Sequence, residues 1–155
     1  MKINIYDTRI DGLKTILVKE KEIAYGNDEI EIHNPQQIVA MMNEAFELNK
    51  LAEEHCYIIA TNTKGSILGV FFISKGTVNS SIVGIREIFL RLFLCGAVNF
   101  IVCHNHPSKG LTPSIDDNEL TKRLKEAGKL LQIHLLDHII IGGDDYFSFQ
   151  ENEIL

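Results

Sequence analysis

The sequence predicts an α/β protein with a mixed β-sheet flanked by helices. Apolar runs of strand length recur near residues 56, 67, 98, 135 and 146. Amphipathic helical stretches at 35–52, 84–95 and 114–131 alternate with them, the pattern of a layered sheet-and-helix domain. The 155 residues are 45% hydrophobic and 23% charged, ordinary values for a chain able to bury a core as one domain.

Residues 1–33 read as a β-rich N-terminal extension of that domain, with one strand around Ile3 and Ile5 and one or two more between Leu13 and Tyr25. A hairpin there would cover a sheet edge. Asn34-Pro35 then opens a helix, Asn as N-cap and Pro at the first helical position. Ile38, Met41, Met42, Ala45 and Leu48 form its buried stripe, and it is expected to run to about Ala52. Cys56 to Ala60 is a buried strand, Asn62-Thr63-Lys64-Gly65 a hairpin turn, and Ile67 to Ile73 a strand apolar on both faces and therefore central. Ser74 to Ser81 is a polar loop able to border a cleft. The next helix, Gly84 to Gly96, buries Ile85, Phe89, Leu92 and Phe93.

The centre of the sequence is Cys103-His104-Asn105-His106-Pro107, closing the apolar run from Val98. Residues i and i+2 of a strand share a face, so His104 and His106 project together, and Pro107 ends the strand. Ser114 is an N-cap, and Asp117 three residues on completes a capping-box pattern. The helix buries Leu120, Leu124, Ala127 and Leu131, and extending that stripe back one turn places Asp117 inward. An inward carboxylate needs a partner. Two imidazoles and a carboxylate suit a catalytic zinc that keeps one position open. A solvated histidine pair and a merely capping aspartate are the plainer alternative.

Beyond this helix, Lys122, Lys125 and Lys129 form a solvated face. Leu135 to Ile141 is a buried strand in which Asp137 and His138 face opposite ways, so only one of them can approach the histidine pair, as a hydrogen-bond partner or simply as a satisfied core residue. Cys56, Cys95 and Cys103 lie in apolar runs, are odd in number and form no Cys-x-x-Cys pair; they read as reduced core residues. Cys103 points to the face opposite His104.

His104-Asn105-His106-Pro107 followed by Ser114-x-x-Asp117 resembles the JAMM (JAB/MPN) metalloprotease motif and, within it, the RadC-like proteins. Ser74 to Ser81, Arg86-Glu87-Ile88-Phe89 and Leu135 to Gly142 resemble further RadC segments in order, over roughly 34–150. The resemblance implies a cytidine deaminase-like three-layer fold and one Zn2+ per chain on His104, His106 and Asp117. It also implies Glu54 as general base, favoured over Glu53, and Ser114 as donor to a developing oxyanion. The implied reaction is hydrolysis of a peptide, isopeptide or related amide bond by a zinc-activated water. Cys56 stands where the family has Phe, Ile85 where it has Pro, and Lys109-Gly110-Leu111 where it has Gly-Asp-Pro. Full-length RadC proteins carry a helical DNA-binding-type region that the β-pattern of 1–33 does not match.

Two other functions compete: a DNA-repair or mobile-element accessory protein, and an inactive MPN binding module. The net charge of −6 disfavours a nucleic-acid partner, and the full ligand set disfavours the inactive module. A zinc deaminase would need a Pro-Cys-x-x-Cys that is missing. With no apolar run of membrane-spanning length and no signal-like start, the expected location is the cytoplasm and no membrane partner is expected.

Overall fold

The computed structural model of the chain describes residues 2–26, 31–76 and 83–155. In chain order they form β1 (Lys2–Asp11), β2 (Lys14–Ala24), α1 (Pro35–Phe46), a 3-10 turn at Leu48–Lys50, β3 (His55–Thr61) and β4 (Ile67–Lys75). Then come α2 (Ile85–Leu94), β5 (Asn99–Asn105), α3 (Ile115–Leu131), β6 (His134–Gly142) and β7 (Asp145–Ser148). The sheet has seven strands in the order β2-β1-β4-β3-β5-β6-β7. It is mixed: β5 runs parallel to β6, and β3 antiparallel to both β4 and β5. The β1–β2 hairpin joins through a parallel bridge between Ile5 and Val70.

Strand alternation divides the core into two clusters and so builds three layers. Ile58, Phe71, Phe100 and Val102 face α2 and α3, with Leu92, Leu120 and Leu124 against them. Ile59, Val70, Ile101, Cys103 and Ile139 face α1, meeting Ile38, Met41 and Met42. Phe71 and Phe100 are fully buried, each worth roughly 1.5–3 kcal/mol of transfer free energy. Among the described residues no helix is long and apolar enough to cross a membrane.

One helix boundary and two buried stripes differ from the sequence expectation. α1 ends at Phe46 rather than near Ala52, because Glu47 turns left-handed (φ 52°) and Leu48 is buried by the 3-10 turn that follows. On α2 the buried stripe is Ile88, Phe89 and Leu92, and Phe93 is 54% exposed, since it lies one step round from the face that meets the sheet. On α3, Leu131 is partly exposed, and Thr121 and Gly128 are buried instead. Of the expected polar loop Ser74 to Ser81, Ser74 and Lys75 instead continue β4, and residues 77–81 lie outside the described residues.

Candidate metal centre

The register of the central strands gathers the polar residues at one end of the sheet. His104 on β5 pairs with Cys56 on β3, which places Glu54, just before β3, beside the end of β5. On the other side β6 runs parallel, setting His138 against Val102 and so one step behind His104 on the same face. α3 begins above this corner, its first turn fixed by a capping box: Ser114 Oγ accepts from Asp117 N, and the Asp117 carboxylate accepts from Ser114 N.

Four side chains meet there. His104 Nε2 lies 3.1 Å from His106 Nε2 and 3.2 Å from Asp117 Oδ1, and His106 Nε2 lies 3.6 Å from Asp117 Oδ2. Glu54 Oε1 is 3.5 Å from the first imidazole and 4.0 Å from the second. One ligand atom from each of the four falls within 4.8 Å of every other. His104 and Asp117 are buried, with 0% and 1% of their side chains exposed, while His106 and Glu54 reach solvent on one side. The cluster is thus a corner with one open edge.

Hydrogen bonds behind the cluster aim it. His106 Nδ1 lies 2.7 Å from the carbonyl of Gly110; a carbonyl only accepts, so Nδ1 carries the proton and Nε2 turns its lone pair inward. Asp117 Oδ2 accepts from Ser114 N at 2.7 Å and from Ser114 Oγ at 2.6 Å. Its Oδ1 is buried and takes no hydrogen bond, an unsatisfied atom that a native interior rarely tolerates. Two inward nitrogens, an orphaned carboxylate oxygen and a second carboxylate fit a divalent cation.

The electrostatics have the same sense. Contact with Asp117 raises the pKa of His106 against the opposing effect of burial. Burial alone would push Asp117 up, but the adjacent imidazoles and Ser114 outweigh it and hold the carboxyl well below the usual carboxylate range. Both shifts arise from the contact between the imidazoles and the Asp117 carboxylate. His138, completely buried, is held neutral, first by desolvation and then by the neighbouring imidazoles.

The structure therefore brings together His104, His106, Asp117 and Glu54, and sets Ser114 against Asp117. Glu53 points away and pairs with Lys75 at 2.5 Å. Of the pair on β6, His138 faces the cluster, whereas Asp137 turns to the other side and accepts from Ser148 Oγ and from the backbone N–H of Gln150. Cys103 faces α1, and burial pushes its thiol and that of Cys56 up, the latter to about 12. Two residues escaped the sequence reading. Asn105, between the histidines, accepts from His55 N at 2.8 Å and donates to the Glu53 carbonyl at 3.1 Å, tying β5 to the segment that carries Glu54. Thr121 lies one turn beyond Asp117 on the buried face, a polar residue in an apolar stripe, and that placement was its signal.

The chain is similar to known proteins over most of its length. The chain is 44% identical over 124 residues to a UPF0758 protein of Clostridium tetani, covering 80% of this chain and 54% of that protein. It is 40% identical over 128 residues to one of Clostridium acetobutylicum, with 83% and 55% covered. With one of Clostridium beijerinckii it shares 36% over 129 residues, 83% and 56% covered. The chain spans about half the length of these curated relatives. The family pattern of the RadC-like JAB domain matches residues 32–154, which take in α1 through β7 and all four clustered side chains. On that match and those relatives, the chain belongs to the RadC-like JAB domain family.

Proposed function

We propose that this domain is a zinc-dependent hydrolase of the JAMM type, cleaving a peptide, isopeptide or related amide bond. The observation that carries the reading is the convergence of His104, His106 and Asp117 around a shared point, with Glu54 at its open edge. One zinc per chain, held by those three residues, would supply Lewis acidity to polarise a carbonyl and acidify a water.

The chain's own residues do the rest. Glu54, 17% exposed, takes a proton from the attacking water as the C–O bond forms, and delivers it to the leaving nitrogen as the C–N bond breaks. Gly110 keeps His106 in the one tautomer that presents Nε2. Ser114 Oγ is bonded to Asp117 in the structure; to stabilise an oxyanion it exchanges that bond for one to the substrate. The substrate is a peptide or protein, and the acidic net charge of −6 does not favour nucleic acid.

An unbiased peptide-library cleavage screen with zinc-loaded protein, beside a His104→Ala/His106→Ala variant, tests this. The expected result is about one zinc per chain and cleavage in the first, and neither in the second. Equal metal in both would remove the site assignment, and full metal without cleavage across the library would remove the hydrolase.

A further inference from the structure

Behind His104 a second set of polar groups is wholly buried, and the proposed hydrolysis makes no use of it. His104 Nδ1 lies 2.9 Å from His138 Nε2. His138 Nδ1 lies 2.6 Å from Thr121 Oγ1, and Thr121 Oγ1 lies 2.6 Å from the backbone carbonyl of Asp117. His104 and His138 are 0% exposed and Thr121 is 3% exposed. Phe149 stacks flat on the His138 ring, centroids 4.8 Å apart at 9°, and fixes the ring plane.

The proton positions in this chain follow from counting. Two oxygens 2.6 Å apart need a proton between them, and a carbonyl has none to give, so the single hydroxyl proton of Thr121 goes to Asp117 C=O. Thr121 Oγ1 can then only accept from His138, which puts the proton of that imidazole on Nδ1. His138 Nε2 is left as an acceptor, and His104 must donate from Nδ1. His104 Nε2 therefore faces Asp117 and His106 as a bare lone pair.

We infer that Thr121 and His138 are positioning residues that fix the tautomer of His104, through a one-way chain of hydrogen bonds anchored on the backbone of α3. The anchor is the carbonyl of Asp117 itself, so one helical residue sets both its own carboxylate and, through two side chains, the imidazole opposite. Partners of this kind behind a metal-binding histidine typically carry 10–100-fold in metal affinity. Sequence spacing hides the relation, since Thr121 and His138 lie 17 residues apart.

The inference needs the metal reading only for its affinity arm. Imidazole 15N NMR of the metal-free protein at pH 8–9 tests the tautomers alone, and should show His138 and His104 both protonated on Nδ1. A proton on Nε2 of His138 would overturn the chain even if zinc binds. Chelator competition then compares Thr121→Val, isosteric but without the hydroxyl, with Thr121→Ser. The valine variant should bind zinc 10–100-fold more weakly at unchanged circular dichroism and serine should recover to within about threefold; valine as tight as the parent would overturn the positioning role. If the parent protein binds no zinc, the metal reading fails and the NMR result still decides the tautomers.

Discussion

The Nε2 atoms of His104 and His106 face each other at 3.1 Å. With the Nδ1 proton of His106 committed to Gly110, this approach puts lone pair against lone pair unless a proton or a cation lies between. The pH dependence of stability follows. His106, its pKa raised by Asp117, contributes stability that is fully present below its ordinary 6.5 and is lost as pH rises through the folded value. His138 acts in the opposite sense: its pKa is depressed, so its contribution is present above 6.5 and lost as pH falls. Asp117, also depressed, adds to the acid-side loss below its ordinary 3.8. Metal-free protein should therefore be most stable near pH 6.5, with His138 alone contributing a fall of about 1.4 kcal/mol per pH unit just below that value and the lowered pKa of His55 adding to it. Zinc, which binds the deprotonated nitrogens, should remove the fall between pH 6.5 and about 8; above that the buried Cys56 and Cys103 thiols, their pKa values raised by burial, lower stability with or without metal. Urea midpoints from pH 5 to 9, with zinc and with chelator, measure both limbs. Metal-free stability that kept climbing from pH 7 to 9 would contradict the lone-pair account.

Glu54 reaches the cluster with Oε1 3.5 Å from His104 Nε2, yet the two imidazoles and Asp117 are enough to hold a metal without it. Glu54→Gln should keep zinc within about threefold and lose 10²–10⁴-fold in kcat, the usual worth of a positioned base. Zinc content by metal analysis, read beside turnover, separates the two effects. Retained turnover would reassign the base.

How much of this was legible depends on how local each signal is. His104 and His106 share a face by the period of two, and the inward turn of Asp117 follows from the stripe through Leu120 and Leu124, so three members of the corner could be read from short windows. Glu54 could be ranked above Glu53 only by resemblance; what separates them physically is the ion pair of Glu53 with Lys75 across the β3–β4 pairing. The Thr121–His138 contact needs the parallel β5–β6 register, which no window contains. The early end of α1 turns on Glu47 adopting a left-handed conformation, a choice driven by burying Leu48 rather than by residue preference.

Asn105 is 2% exposed and ties β5 to the residues on either side of the base, through His55 N and the Glu53 carbonyl. Asn105→Ala leaves the half-buried His55 N–H without that partner and should cost about 1 kcal/mol. Because Glu54 sits between the two bridged groups, kcat should drop by about 10–100-fold while zinc affinity holds, the cost of a base displaced by a fraction of an ångström to an ångström. An unchanged kcat at lowered stability would show that Glu54 is held by something else.

Ser114 has two separable duties. As N-cap it accepts from Asp117 N, worth about 1 kcal/mol; as a hydroxyl donor it would act on the substrate. Ser114→Thr keeps both groups and should keep turnover. Ser114→Ala, assayed at saturating zinc, should lose about 10²–10³-fold in kcat if the hydroxyl stabilises an oxyanion. A kcat that stays at the parent value once zinc saturates would leave Ser114 as a cap and nothing more.

The loop that carries Gly110 leans on the β6–β7 turn, and here two adjacent glycines differ in what they protect. A Cβ on Gly142 would lie 2.7 Å from both Leu111 Cδ2 and the Lys109 carbonyl oxygen, too close without moving backbone. One on Gly143 would meet only the flexible Lys109 side chain at 3.6 Å, its difficulty being the positive φ of 73°. Both alanine variants should lose about 1–3 kcal/mol in urea denaturation, the first by overpacking and the second by backbone strain. Only Gly142→Ala should also weaken zinc, by about tenfold, because shifting Lys109 drags the Gly110 carbonyl away from His106 Nδ1. Equal zinc affinity in the two variants would mean that His106 keeps its orientation without that carbonyl.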